Sequence, residues 1–315
     1  MNNRRTFLVQ CTMAIGAVTI LRPLHSLATI GNRTIGGLSN RLTILHTANL
    51  GGQWKAMGRF HKLAGLGGLE QLCKKVQQVR GEGGQVLLLD AGNMMYNGAD
   101  NRDEQLQFYQ TLAGAGYDAV VPGKADLCRG TSYFQALARE SRLPEVSLQY
   151  ERNTPIMGSG LPYYRINKGN LQVAVIDGST YTLKSKSLSS VSKAVAAASR
   201  TAAVLKQAHP CLLTICMVQE EDSKSRVFAE ASSHLDIIAS TAPVSGLQST
   251  LVIRNSKNEE VLLSRAGEKG TIISRIDLTY NEHLEKTHIH PGAVLVGEPL
   301  VKYAGQPRQE AYSKV

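Results

Sequence analysis

The chain has 315 residues and a formal net charge of +10 at pH 7. Such a basic balance favours anionic partners, for example phosphate esters or anionic glycans. Basic and acidic residues are interspersed and no run of like charges appears, which argues against a nucleic-acid-binding tail. We therefore expect a small anionic ligand rather than a nucleic acid as the partner.

The N-terminus has the features of a bacterial export signal. Two adjacent arginines at positions 4–5 precede an apolar stretch at 7–21, which is followed by the small-residue cleavage pattern at 26–28. The arginine pair followed by Thr-Phe-Leu resembles the twin-arginine type of signal. A membrane anchor is the alternative, but Arg22 stops the apolar run while it is still short for a spanning helix. We expect a periplasmic or otherwise exported protein, with no membrane contact after cleavage of residues 1–28.

The rest of the chain divides into three parts. Residues 29–40 are rich in Gly, Ser, Thr and Asn, as in a linker, and residues 301–315 form a polar tail. Residues 41–300 have the length of one large α/β domain or two small ones.

Four cysteines follow the predicted signal, at positions 73, 128, 211 and 216. In an oxidising compartment they could form two disulfides, and all three pairings remain open. We favour small core residues for Cys73, Cys211 and Cys216, because each lies in an apolar pattern. The partner of Cys128, if it has one, is not indicated.

The predicted elements alternate between strand and helix. The predicted strands are 41–46, 86–89, 117–121, 145–149, 162–167, 171–177, 212–217, 236–240, 251–254, 261–264, 272–279 and 294–296. The predicted helices are 68–80, 102–113, 131–141, 190–208 and 222–233. The run at 86–89 is continuously apolar, which is typical of a strand buried on both faces. This alternation predicts an α/β fold with a mostly parallel sheet, whose ligands lie at the carboxyl ends of the strands.

Five blocks stand near those strand ends. They are Leu42–Gly51 (LTILHTANLG), Leu87–Met95 (LLLDAGNMM), Gly116–Asp126 (GYDAVVPGKAD), Asp236–Val244 (DIIASTAPV) and Arg265–Leu278 (RAGEKGTIISRIDL). In this order and spacing they resemble the 5′-nucleotidase branch of the calcineurin-like metallophosphoesterases. The resemblance covers roughly residues 41–300, and it implies a four-layer αββα sandwich of two mixed sheets with helices outside.

The resemblance also implies a chemistry, in which two divalent cations clamp a phosphate ester and ionise a water. Such cations need oxygen and nitrogen ligands. At the positions that match the family's ligands this chain has Asn49, Gly51, Asn93, Lys124, Ala125, Gln219, Ala242 and Val244. Because the carboxylates and histidines are replaced, we expect no metal cofactor. The sequence therefore predicts a pseudoenzyme, which keeps the scaffold and lacks the catalysis.

Three functions remain open on this reasoning. The first is a non-catalytic protein that binds a phosphate ester or another anion through Lys124, helped by Asn49 and Asn93. The second is an active phosphoesterase or nucleotidase with unorthodox metal or catalytic residues. The third is a structural or partner-binding protein, whose cleft is filled by apolar side chains such as Met94 and Val244.

Other chemistry-bearing residues have structural interpretations. Asp126 stands where the family has Glu, and we expect a structural role. The pair His288 and His290 is expected to face solvent, although two imidazoles on one strand face could hold a metal. The acidic run at 219–222 could supply new carboxylates near the matched ligand positions, but we favour a solvated helix start, because acids favour helix N-termini. Trp54 is expected to anchor the Gly-rich loop that follows the first strand.

Overall fold

The computed structural model describes residues 40–95, 101–153, 161–179, 188–244 and 247–300. The predicted signal at 1–28, the predicted linker up to residue 39 and the predicted tail at 301–315 lie outside the described residues. Within the described part of the chain, no helix has the length and apolarity needed to cross a membrane.

The strands and helices follow one another in the predicted alternation. The strands are β1 (Arg41–Thr47), β2 (Gln85–Asp90), β3 (Ala119–Val120), β4 (Tyr163–Lys168), β5 (Leu171–Asp177), β6 (Leu213–Val218), β7 (Ile237–Ser240), β8 (Thr250–Arg254), β9 (Glu260–Arg265), β10 (Ile272–Tyr280) and β11 (Lys286–Leu295). The helices are α1 (Leu69–Gly81), α2 (Arg102–Gly114), α3 (Thr131–Ser141), α4 (Val146–Asn153), α5 (Leu188–Ala208) and α6 (Asp222–Ala231).

The strands form two mixed sheets. One sheet has the order β11-β10-β1-β2-β3, and the other has the order β4-β5-β6-β7-β9-β8. The central pairs of both sheets are parallel, whereas β10 runs antiparallel to β1 and β4 runs antiparallel to β5. The mixed sheets agree with the fold class that the resemblance implies.

Three apolar cores hold the layers together. Alternate residues of a strand point to opposite faces. On β1, Leu42 and Ile44 therefore lie in the core between the two sheets, while Leu45 lies in the outer core with residues of α1, α2 and α3. A third core joins the six-stranded sheet to α5 and α6. The result is the predicted four-layer αββα sandwich.

The parallel register brings the functional loops to one edge. Thr47, the last residue of β1, pairs with Asp90, the last residue of β2, and Asp90 pairs in turn with Val120 at the end of β3. In the other sheet Val218 pairs with Ser240 at the ends of β6 and β7. We call the loops that follow these five strands the strand-end edge. It is the predicted place for a ligand.

Two predicted elements are wrong, and the others match the observed bounds within two residues at each end. The predicted strand at 145–149 is helix α4, which begins at Val146. Its start is stabilised because the Glu145 carboxylate accepts the N–H groups of Ser147 at 2.9 Å and Leu148 at 2.8 Å. The apolar-polar alternation in this segment suggested a strand, but these local hydrogen bonds favour the helix.

The last strand is much longer than the predicted 294–296, since β11 spans Lys286–Leu295. It is an edge strand, and its residues 286–291 are exposed on both faces. An edge strand with no buried face carries no apolar alternation, and charges and Pro are common there. The alternation of apolar and polar residues that usually indicates a strand was therefore missing for most of the length of β11.

The cysteines correct one prediction. All four are free thiols, with Cys73 and Cys216 buried as predicted. Cys211 was predicted to be a core residue but is exposed. It precedes β6 in a turn and lies 3.8 Å from the carbonyl oxygen of His283. The apolar pattern of β6 does not extend to it.

Candidate functional site

Two asparagine side chains form a hydrogen-bonded chain across the strand-end edge. Asn49 donates from Nδ2 to the Thr241 carbonyl at 2.7 Å and accepts at Oδ1 from Nδ2 of Asn93 at 2.9 Å. Asn93 accepts at its own Oδ1 from the Ala125 N–H at 3.1 Å. We call Asn49 and Asn93, with these partners, the amide chain. It ties together the loops that follow β1, β2, β3 and β7.

The backbone brings the two side chains face to face. Asn49 has a φ of 53° and Asn93 a φ of 57°. Asn is one of the few residues besides Gly that adopt this left-handed conformation at low cost. The N–H of Asn49 donates to the Gly92 carbonyl at 2.8 Å, and the N–H of Gly51 donates to the Asn93 carbonyl at 3.0 Å. The two loops therefore interlock through both backbone and side chains.

Two glycines allow the loops to approach this closely. A Cβ on Gly123 would lie 2.2 Å from Oδ1 of Asn93, and a Cβ on Gly92 would lie 2.3 Å from Nε2 of Gln219. Nε2 of Gln219 is buried and has no hydrogen-bond partner among the described residues. Amide side chains therefore fill the space against these two glycines. Met94, which the third alternative placed in the cleft, packs in the outer core.

A buried carboxylate braces the loops after β2 and β3. Asp126 is 6% exposed, and it accepts the N–H groups of Met94, Met95 and Gly123 at 3.2, 2.9 and 2.8 Å. The hydroxyl of Tyr109 donates to the same carboxylate at 3.2 Å. Burial raises the pKa of Asp126 above its usual range. These contacts agree with the predicted structural role.

A second buried carboxylate supports the loop after β2. Asp90 accepts the Gly92 N–H at 2.7 Å and the Thr47 hydroxyl at 2.6 Å. The Thr47 hydroxyl is also 2.8 Å from the hydroxyl of Tyr117. Burial raises the pKa of Asp90 to about 8, despite the two hydrogen bonds that favour its charged form. Asp90 is fully buried and cannot contact a ligand in solvent.

A line of buried polar groups lies between the two sheets. Nδ1 of His46 is 2.9 Å from the Ser264 hydroxyl, and hydroxyl donors continue from Ser264 to Ser274, Ser249 and the Gly292 carbonyl. Since Ser264 donates onward, Nδ1 of His46 is the donor to it. Burial lowers the pKa of His46 to about 3, so the ring is neutral at pH 7. Sequence reasoning missed these serines because no spacing links them to His46.

The remaining predicted positions supply little chemistry. Ala242 is buried, Val244 is half-buried, and each uses its backbone N–H, to Ser240 Oγ at 3.0 Å and to the Ala266 carbonyl at 3.2 Å respectively. Lys124 is exposed, and it forms no ion pair or hydrogen bond with any residue that the structure describes. It is the one charged side chain among the predicted site residues that faces solvent.

The donor set does not fit a pair of divalent cations. The amide oxygens of Asn49 and Asn93 already accept hydrogen bonds. Gly51, Ala125, Ala242 and Val244 have no side-chain donor atoms. Among the described residues, no group of three or more His, Cys, Asp or Glu side chains could hold a metal ion. Divalent cations need several such ligands at once.

Three structural interpretations made from the sequence are confirmed. Trp54 is 8% exposed, and its ring meets that of Phe108 edge-on with a centroid distance of 5.2 Å. His288 and His290 are both exposed on β11. The acidic run at 219–222 leads into α6, which begins at Asp222.

Solved structures with the same fold include nucleotidases and phosphoesterases. The 5′-nucleotidase precursor from Thermus thermophilus aligns over 82% of this chain and 55% of its own, with a TM-score of 0.66 and 16% identity. The NAD nucleotidase from Haemophilus influenzae aligns over 82% and 56%, with a TM-score of 0.62 and 14% identity. A calcineurin-like phosphoesterase from Bacillus subtilis aligns over 82% and 90%, with a TM-score of 0.57 and 14% identity.

By sequence, the chain matches no protein-family model and no curated protein. The structural likeness shows the fold, which is that of 5′-nucleotidases and calcineurin-like phosphoesterases, as the five blocks predicted. The chain spans about 55% of the length of the nucleotidase structures.

Proposed function

We propose that this is an exported, non-catalytic protein on the metallophosphoesterase scaffold, in which the amide chain replaces the metal pair. The observation that carries the proposal is the 2.9 Å hydrogen bond between Asn93 Nδ2 and Asn49 Oδ1. It joins the two loops whose matching positions in the family hold metal ligands. Here neutral groups connect the loops, so the strand-end edge assembles without cations.

The electrostatics of the edge support the same proposal. A cation on either asparagine Oδ1 would lie beside the N–H group that already donates to that oxygen, and the positive end of this N–H would repel it. Neutral amide oxygens also offset the mutual repulsion of two dications far less than a bridging carboxylate does. Lys124 adds a positive charge next to Ala125, whose N–H ends the amide chain. Each of these features disfavours a loaded metal pair.

The test is the metal content of the purified protein together with its hydrolysis of a phosphoesterase panel in added Mn²⁺. We expect well under one metal ion per chain and no hydrolysis above the blank. Hydrolysis by wild-type protein carrying two metal ions per chain would instead establish an enzyme with unorthodox ligands. The double variant Asn49→Asp/Asn93→Asp, purified in parallel, is the comparison protein. Its metal content shows whether carboxylates at these two positions bind metal that the assay can detect.

A second candidate function is binding of a phosphate ester or another anion at Lys124. Its support is that the ammonium group is exposed and unpaired with the described residues at the strand-end edge. The amides of Asn49 and Asn93 are engaged with each other, so the candidate now depends on Lys124. Calorimetry with inorganic phosphate and a nucleotide tests it, comparing Lys124→Ala with Lys74→Ala, an exposed lysine on α1. Binding should be lost only in the first variant, and no heat with wild-type protein rules the site out.

The proposed export can be tested separately. A reporter that acts only after crossing the membrane, fused behind residues 1–40, should be exported in a bacterial host. Replacing Arg4 and Arg5 by Lys should block export if the twin-arginine route is used. Retention of the unmodified fusion inside the cell would contradict the proposal.

A further inference from the structure

The loop between β1 and α1 presents an exposed aromatic side chain at its tip. Phe60 is 97% exposed, whereas the next most exposed large hydrophobic residue among those described, Leu300, is 67% exposed. Arg59 and Lys62, on either side of it, are also exposed. We call residues 58–63 the cationic tip. The packing of the sandwich gives no reason for this aromatic ring, since the tip carries it away from every core.

The backbone holds the tip in a defined shape. At its base the N–H of Met57 donates to the Leu66 carbonyl at 2.8 Å, and within it the N–H of His61 donates to the Gly58 carbonyl at 2.9 Å. His61 also accepts the N–H of Leu63 at its ring Nδ1, at 3.0 Å. An ordered loop loses less conformational entropy when it binds, which favours a recognition role for it.

The charges around Phe60 are mainly positive. The cationic tip contains no acidic residue, and Arg59 and Lys62 form no ion pair with the described part of the chain. The nearest segments add exposed Lys55 and Lys269 as well as exposed Glu268 and Glu298. Positive charges therefore predominate at the tip itself, whereas the two basic and two acidic side chains at its base balance each other.

A second exposed apolar group lies at the base of the tip. Cγ of Leu300 would be 2.9 Å from a Cβ placed on Gly65, so its side chain lies against the loop. Phe60 and Leu300 are thus two exposed apolar groups on this loop, and basic side chains flank Phe60. An aromatic ring flanked by Arg and Lys is suited to the interface of an anionic bilayer, where rings enter the headgroup region and cations meet lipid phosphates.

We propose that the cationic tip docks the protein on an anionic lipid surface, with Phe60 inserted and Arg59 and Lys62 facing the phosphates. A bilayer accepts a convex tip anywhere on its surface, whereas a protein partner would need a matching pocket. This differs from our expectation of no membrane contact, because the sequence did not show that Phe60 is exposed. The contact is weak and reversible, since one ring and a few cations give only modest affinity.

The experiment uses a local fluorescent probe in the full chain. The protein has one tryptophan, Trp54, which is buried, and the wild type with the same vesicles gives its emission as the background to subtract. Phe60→Trp adds a second one at the tip, and we expect its emission to shift to the blue with phosphatidylglycerol vesicles and not with phosphatidylcholine vesicles. High salt should reverse the shift, because it screens exposed charges. The readout is specific to the tip, so another membrane-active segment would not produce it.

The matched control is Val252→Trp, since Val252 is 57% exposed on β8 of the other sheet. Its emission should not change with either lipid. Adding Arg59→Gln and Lys62→Gln to the Phe60→Trp protein should weaken its affinity for anionic vesicles about tenfold or more. No shift for Phe60→Trp, equal shifts for both probes, or binding to single-stranded DNA in place of vesicles would overturn the proposal.

Discussion

Asn93 contributes to the strand-end edge in two separable ways. Its left-handed backbone suits Asn, and its side chain hydrogen-bonds to both Asn49 and Ala125. Asn258 has a similar φ of 61° but is exposed on a turn, and its side chain forms no hydrogen bond with described residues. The two residues therefore share the backbone conformation and differ in the hydrogen bonds.

We expect Asn93→Ala to lower the free energy of unfolding by about 1–3 kcal/mol more than Asn258→Ala does. Both variants incur the cost of a left-handed Ala, but only Asn93→Ala leaves the Ala125 N–H and the Asn49 Oδ1 without their partners. Urea unfolding of both variants and the wild type measures the difference. Equal losses would show that the amide chain contributes nothing to stability.

Asp90 should make stability fall as the pH rises. Its pKa is about 8 in the folded protein against an ordinary value of 3.8, so the folded state holds its proton where the unfolded state has lost it. Between those values stability falls by up to about 1.4 kcal/mol per pH unit. His46 acts oppositely, but only below pH 6.5, because its pKa is lowered from there to about 3. The window from pH 6.5 to 8 therefore lies above the range in which His46 contributes.

Asp90→Asn should remove this dependence, since the amide does not titrate. Unfolding free energies of both proteins are measured at several values between pH 6.5 and 8, and the wild type should lose stability relative to the variant as the pH rises. Glu145, with a pKa raised to about 7, titrates in both proteins and cancels from the difference. Parallel curves would mean that Asp90 is not the group responsible.

The identity of the site residues could be predicted from the sequence, but their contacts could not. The five blocks locate Asn49 and Asn93, and the absence of acids there follows directly from the residue types. Their mutual hydrogen bond depends on the parallel register of β1 and β2, which only the folded sheet provides. The same is true of His46 and Ser264, which lie 218 positions apart.

At the scale of single elements, α4 depends on the residue that precedes it. Glu145 is 1% exposed and accepts the N–H groups of Ser147 and Leu148. We expect Glu145→Ala to lower the stability by about 1 kcal/mol, as the loss of a helix cap does. Thermal unfolding measures it against Glu140→Ala, an exposed ion-pair partner of Arg102 that should change stability by less than about 0.5 kcal/mol. If the two variants melt together, Glu145 does not determine the start of α4.

Elements with one or both faces buried were predicted best. The helical spacing of α1 and the apolar run of β2 reflect burial, and both are observed within a residue of the expected bounds. Helix α4 and strand β11 failed because their structure comes from a side-chain cap and from pairing with β10, respectively. Neither the cap nor the pairing produces a periodic pattern of apolar residues in the sequence.

At the scale of the whole molecule, we expect folding to be independent of divalent cations. A ligand that binds only the folded state at 1,000 times its dissociation constant adds about 4.1 kcal/mol of stability. Because we expect no metal to bind, thermal unfolding with a chelator and with excess Mn²⁺ should give the same midpoint. A midpoint that rises with Mn²⁺ in the wild type, and not in Asn49→Ala, would place a metal at the amide chain.

The two-sheet architecture shows the limit of pattern reasoning. Alternation of strands and helices predicted one mostly parallel sheet, and only the resemblance of the five blocks implied a sandwich. The reason is that β10 inserts beside β1 as an antiparallel neighbour, although more than 200 residues separate them. Local periodicity contains no information about such long-range pairing.

The amide chain also bears on how this protein can evolve. A single exchange of Asn93 to Asp would set a carboxylate oxygen against Oδ1 of Asn49, where an N–H now donates at 2.9 Å. The converse exchange at Asn49 would replace the group that donates to the Thr241 carbonyl. Each single exchange towards carboxylate ligands thus weakens the fold before any cation can compensate. Substitution of one residue at a time therefore passes through a destabilised protein before a pair of carboxylates is complete.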